Sequence, residues 1–126
     1  MGSEKRKYVR FAPQDKTFAA LRSGFKKVGK VHDISVKGLG FSYLDHSQEE
    51  NSETTSLNAD IFLSNNRFHL ANVPCRIVYD IEGSSSDTIG MIRTNKCGLH
   101  FGKLMEDQSE QLEYFIKNYT TRPLSS

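Results

Sequence analysis

A chain of 126 residues with a formal net charge of +2 has room for one buried core and does not present a general polyanion-binding surface. Its composition, 37% hydrophobic and 25% charged, is that of an ordinary globular protein. No stretch approaches the roughly 20 apolar residues of a membrane helix, and the N-terminus lacks the apolar run of a signal peptide, so a cytoplasmic location without membrane insertion is expected.

The charge is unevenly placed. Residues 1–37 hold ten Lys/Arg against three Asp/Glu, while residues 38–60 hold no cation and five Asp/Glu. A basic first third on a near-neutral chain points to a localised anionic ligand. Residues 1–12 read as a flexible basic arm ending before Pro13. Thr17 to Gly24 and Lys26 to Ser35 read as short strands, and the alternation of Leu39, Phe41 and Tyr43 as a third. The polar, acidic run from Asp45 to Ser56 reads as a surface loop. Leu57, Ala59, Ile61 and Leu63 alternate, Asn65-Asn66 turns, and Phe68 and Leu70 return as a hairpin. Cys75, Ile77, Tyr79 and Ile81 then form one apolar face, EGSSSD turns, and IGMIR leads to the alternating Cys97, Leu99 and Phe101. Short strands at this spacing predict an all-β barrel or sandwich.

Both cysteines fall on apolar strand faces and neither belongs to a CxxC pair, so they are expected to be reduced core thiols. Near the end the period changes. Leu112, Phe115, Ile116 and Tyr119 make one helical stripe, with Asp107 and Glu110 as a capping pair and Pro123 beyond the end. The stripe is expected to pack on the barrel.

Catalytic patterns find little support. His32-Asp33-Ile34-Ser35 contains the residue types of a hydrolase, but strand parity puts Asp33 and Ser35 on one face and His32 on the other. There is no GxSxG elbow, no Walker or GxGxxG loop, and the four histidines have no metal-ligand spacing. No enzymatic activity, cofactor or metal is expected.

Two features remain. Arg6 and Arg10 stand four apart on the arm, and the planar fork of arginine suits phosphate oxygens or the O6/N7 edge of guanine. Asp33 and Ser35 precede Gly38 in DISVKG, and a carboxylate suits the N1–H and N2–H donors of guanine. Gly38 permits a positive φ or a close approach of backbone to a ligand. With Tyr8 the sole aromatic among the arm's basic residues before Phe11, a nucleic-acid surface is not indicated.

Arg6-xxx-Arg10, then 22 intervening residues, then Asp33-x-Ser35-xx-Gly38 resembles the RxxxR…[D/N]xSxxG pattern of PilZ domains, and CGLHF at 97–101 followed by a helix resembles that family's closing strand and helix. The resemblance implies a six-stranded antiparallel β-barrel, residues 13–121 with the C-terminal helix packed on it, and a tail at 122–126. It implies a receptor for the bacterial messenger cyclic di-GMP, with Arg6 and Arg10 on phosphates and guanine edges, Asp33 and Ser35 on a guanine, and Gly38 shaping the turn beneath. Lys5 precedes the first arginine, where a basic residue goes in the family with an intercalated pair of ligand molecules. Signalling would pass to a partner protein through ordering of the arm. The alternative is a PilZ-like interaction module that works without ligand.

Overall fold

The period-two alternation closes into a barrel. The computed structural model describes residues 9–22, 27–45, 57–64, 68–82 and 93–124. The expected acidic loop beyond Asp45, the Asn65-Asn66 turn, the EGSSSD turn and most of IGMIR lie outside the described residues, as do residues 1–8 of the arm.

In chain order the elements are β1 (Phe11–Pro13), β2 (Thr17–Arg22), β3 (Lys27–Ile34), β4 (Gly38–Asp45), β5 (Leu57–Leu63), β6 (His69–Glu82), β7 (Arg93–Phe101), α1 (Glu106–Asn118) and β8 (Thr120–Pro123). The sheet order is β2-β5-β6-β7-β4-β3, and β3 pairs back with β2, which closes six antiparallel strands. β1 and β8 extend the sheet from β3 as a short ribbon, with Phe11 opposite both Ile34 and Pro123. Residues 11 and 12, read as part of the arm, therefore belong to a strand held between two others, and residues 122 and 123, read as tail, belong to β8. Local pattern could not reveal this pairing, because its partners are separated by nearly the whole chain.

β6 is one strand of 14 residues where the sequence suggested two. Its first part bends at Asn72, a non-glycine residue with φ 56°, and the Asp60 carboxylate accepts the Asn72 N–H at 3.0 Å. Asp60 is buried, so this contact holds the kink in place.

Inward residues of all six strands form one core that includes Leu21, Ile34, Phe41, Ile61 and Leu99. Cys75 and Cys97 lie in it, and burial pushes their thiols up to about 11 and about 12, which keeps them protonated and unreactive. The helix packs on the barrel as expected: Leu112 and Phe115 are buried, with Ile116 and Tyr119 partly so. Phe115 meets Phe68 at a centroid distance of 4.9 Å and Tyr119 at 5.6 Å.

The cap differs from the sequence expectation. Asp107 is already inside the helix, and Gln108 Oε1 accepts the Met105 N–H at 3.0 Å. Gln108 Nε2 donates to the Ala71 and Asn72 carbonyls, which fastens the first helical turn to the β6 kink. Glutamine does what glutamate at 110 cannot, since the anchor needs an acceptor and a donor on one side chain.

Phe115→Ala is expected to lower unfolding free energy by about 3–5 kcal/mol, while Tyr114→Ala on the exposed helix face stays within about 1 kcal/mol. Urea denaturation of both variants measures the difference.

Candidate functional site

The outer face of β3, β4, β7 and β6 carries Asp33, one of the sequence-predicted residues, and its layout depends on two register shifts. One falls between Val31 and Asp33 in β3, the other between Ile77 and Tyr79 in β6. Each inserts one residue and reverses strand parity beyond it.

In β3, Val31 and Ile34 are buried while His32 is exposed and Asp33 partly so. His32 and Asp33 therefore both turn outward, against the parity read from the sequence, and His32 Nε2 pairs with Ser42 Oγ at 2.5 Å. Ser35 follows in the turn beyond β3. Ser35 is buried there, and its Oγ accepts the Lys37 N–H at 3.0 Å.

In β6 the shift brings Tyr79 to the outer face opposite Gly98, although its sequence spacing placed it with Cys75 on the inner one. Asp80 then faces inward opposite Cys97, where it accepts Tyr43 Oη at 2.6 Å and Lys27 Nζ at 3.0 Å. Burial and the Asp80 contact push the Tyr43 phenol up to about 12. Burial works to lower the Lys27 pKa, but the Asp80 carboxylate and Tyr43 outweigh it and hold the ammonium charged.

The outer row thus runs Asp33, Gly40, Gly98, Tyr79 across four strands. A Cβ on Gly98 would lie 2.3 Å from the Tyr79 ring, so the ring rests directly on bare backbone. A Cβ on Gly40 would sit 3.1 Å from Asp33 Oδ2 and 3.2 Å from Tyr79 Oη. The two glycines therefore keep open the space between a carboxylate and a phenol. Burial raises the Tyr79 pKa, the Asp33 carboxylate adds to the shift, and Arg10 opposes it.

Arg10 reaches this row from the arm. Its Nε and Nη2 both donate to Asp33 Oδ1, at 3.1 and 2.8 Å. The Arg10 side chain is 35% exposed and that of Asp33 16%, so the pair sits at the cleft wall. The Leu124 N–H donates to the Arg10 carbonyl at 2.8 Å, which ties the arm root to the segment after β8.

Beside the row, Ser35 N–H donates to the Gly38 carbonyl at 2.8 Å and closes the β3–β4 turn. A Cβ on Gly38 would meet the Leu99 carbonyl at 2.1 Å. The close approach expected at Gly38 was to a ligand, whereas the neighbour that excludes a side chain here is β7 backbone.

Arg10, Asp33, Ser35 and Gly38 all line one cleft of about 170 Å³, together with Tyr79 and His100. Arg6 and Lys5 lie outside the described residues. Tyr79, Gly98 and His100 were missed as site residues. Tyr79 carried a misleading signal, because alternation without the bulge assigns it to the core. Among the described residues no group of three or more His, Cys, Asp or Glu could hold a metal ion, and no helix is long and apolar enough to cross a membrane.

No protein-family model and no curated protein matches the chain. Solved structures do. The chain is similar to MrkH of K. pneumonia in its c-di-GMP complex, with 14% identity, a TM-score of 0.67, and coverage of 92% of this chain and 52% of that one. It is similar to the PilZ domain of YcgR from Escherichia coli with c-di-GMP, at 14% identity and TM-score 0.66, covering 90% of this chain and 91% of that one. The Bacillus subtilis inhibitor of motility MotI (DgrA) gives 18% identity and TM-score 0.61, covering 91% and 51%. The chain thus spans about half the length of the MrkH and MotI chains. The fold is that of PilZ domains: a six-stranded barrel with two added strands and one C-terminal helix.

Gly98→Ala is expected to displace the Tyr79 ring and to cost about 1–3 kcal/mol. Tyr79 ring resonances in NMR spectra, read with a denaturation curve, check both parts.

Proposed function

We propose that this PilZ-fold domain is a receptor for cyclic di-GMP, which binds over the Asp33–Tyr79 row and brings Arg6 and Lys5 of the arm down onto its phosphates. One observation carries the reading. A guanidinium from the arm and a carboxylate from β3 converge at 2.8 Å beside a phenol ring laid on glycine backbone.

Each part suits guanine. Asp33 Oδ2 faces the open side of the row and accepts N1–H and N2–H. Arg10 uses two of its five N–H donors on Asp33 Oδ1, and the remaining three suit O6/N7 or a phosphate oxygen. The Tyr79 ring, 43% exposed, offers a stacking face. Ser35 keeps its hydroxyl proton as a donor while its oxygen serves Lys37. The domain performs no chemistry on the ligand. Its output is the changed surface where the cation-rich arm, EKRK at 4–7, gains anionic partners and orders, and a partner protein reads that surface.

The runner-up reading, a ligand-independent interaction module, draws on the same ion pair, since Arg10 and Asp33 already satisfy each other. Calorimetric titration separates the two. The receptor gives saturable heat with cyclic di-GMP and none with GTP or cyclic GMP, whereas the module gives no heat with any of them. In the receptor, Arg10→Ala or Arg6→Ala is expected to lower affinity by about 2–5 kcal/mol. Asp33→Ala is expected to narrow the preference over cyclic di-AMP, measured as the ratio of dissociation constants in wild type and variant. Hydrogen exchange at residues 5–8 is expected to slow on ligand addition, and protection unchanged by ligand would place the switch elsewhere.

A further inference from the structure

A second polar row crosses the same outer face one step along the strands from the cleft. Lys30 of β3 is opposite Ser42 of β4, which is opposite Lys96 of β7, and Ile81 of β6 ends the row. Residues two apart on a strand are separated by about 6–7 Å, so this row begins where the Asp33–Tyr79 row stops. His32, two residues from Lys30, joins it by ordinary strand alternation and meets Ser42 Oγ, and the β3 bulge sets Asp33 beside it on the same face.

We propose that Lys30, His32, Ser42 and Lys96 form a phosphate-binding strip continuous with the cleft, holding a phosphodiester group beyond the one at Arg10. The inference rests on the nucleotide reading above and adds the residues that receive the ligand's far side.

The charged groups around His32 favour an anion there. Lys96 from β7 and Lys30 from its own strand face it, and only Asp33 opposes them. Lys30 also makes a long ion pair to Asp15 at 3.7 Å, but the partners are 56% and 83% exposed, so solvent screens that contact and Lys30 remains available. Desolvation and the two lysines lower the His32 pKa below the ordinary histidine value, so the ring is neutral in the free protein near pH 7. A phosphate placed on the strip offsets the lysines and raises that pKa. The bound state then holds more protons than the free state, and affinity rises as pH falls through the range between the two pKa values. Ser42 Oγ already touches the ring and donates to a phosphate oxygen when the imidazole turns to do the same.

The phosphate has two sources: the second phosphodiester of one ligand molecule, or a phosphodiester of a second molecule. Calorimetry with cyclic di-GMP at about pH 6 and about pH 8, on wild type, Lys96→Ala and His32→Asn, distinguishes them. Affinity of each variant is expected to fall by roughly three- to tenfold. The gain in affinity on acidification is expected to shrink in His32→Asn. A fall in affinity at constant stoichiometry assigns the phosphate to one molecule, and a drop from two ligands to one assigns it to a second. Wild-type affinity, stoichiometry and pH dependence in both variants overturn the strip. Failure of wild type to bind cyclic di-GMP overturns the receptor reading instead, and the strip is then read with pyrophosphate. NMR titration of the His32 ring in pyrophosphate against chloride at equal ionic strength is expected to raise its pKa, and Lys96→Ala to cancel the rise. No rise overturns the strip.

Discussion

Two inserted residues, one in β3 and one in β6, face each other across β4 and β7, and the site follows from them. A regular barrel would place Tyr79 in the core and His32 and Asp33 on opposite faces. The shifts reverse this locally, so that an aromatic ring, a carboxylate and an imidazole share one outer surface while Asp80 turns inward to Tyr43 and Lys27. The same bulge therefore serves both sides of β6. It exposes a ring for recognition and supplies the acceptor that closes a half-buried ion-pair network below. Bulges cost ladder hydrogen bonds, and here the loss is compensated by the Asp80 contacts.

The fold was largely legible in the sequence and the site only in part. Alternation in Leu39–Tyr43, Leu57–Leu63 and Cys97–Phe101 located three strands, and the stripe Leu112–Phe115 located the helix, because burial acts on every second or every third and fourth residue. Arg10, Asp33, Ser35 and Gly38 were legible through residue type and spacing. Tyr79 and the shared outer face of His32 and Asp33 were not. A bulge is defined by what the neighbouring strand does, and a single chain read in order carries no record of its partner's register. The β1–β8 ribbon escaped for a related reason: three or four residues have too little pattern to announce a strand.

Under the proposed function, the Arg10–Asp33 pair would shape how a guanine enters. Separating a partly buried pair leaves a carboxylate without its partner, a cost that works against binding. The geometry avoids separation. Both guanidinium contacts fall on Oδ1, so Oδ2 and three N–H donors remain for a base that docks against the intact pair. The pair thereby acts as a preorganised edge with donors and acceptors already set side by side, and little ordering remains for the ligand to induce at this point.

The ribbon that fixes the root of the arm joins residue 11 to residue 123, the widest sequence separation in the sheet. Closing so long a loop carries a large entropic penalty, which the growing barrel reduces only once β2 to β7 have assembled. The ribbon is therefore a late event in folding. A nascent or partly folded chain presents Asp33 on its hairpin before Arg10 has anywhere to anchor, so under the proposed receptor function ligand recognition would arise with completion of the domain and report that the chain has finished folding.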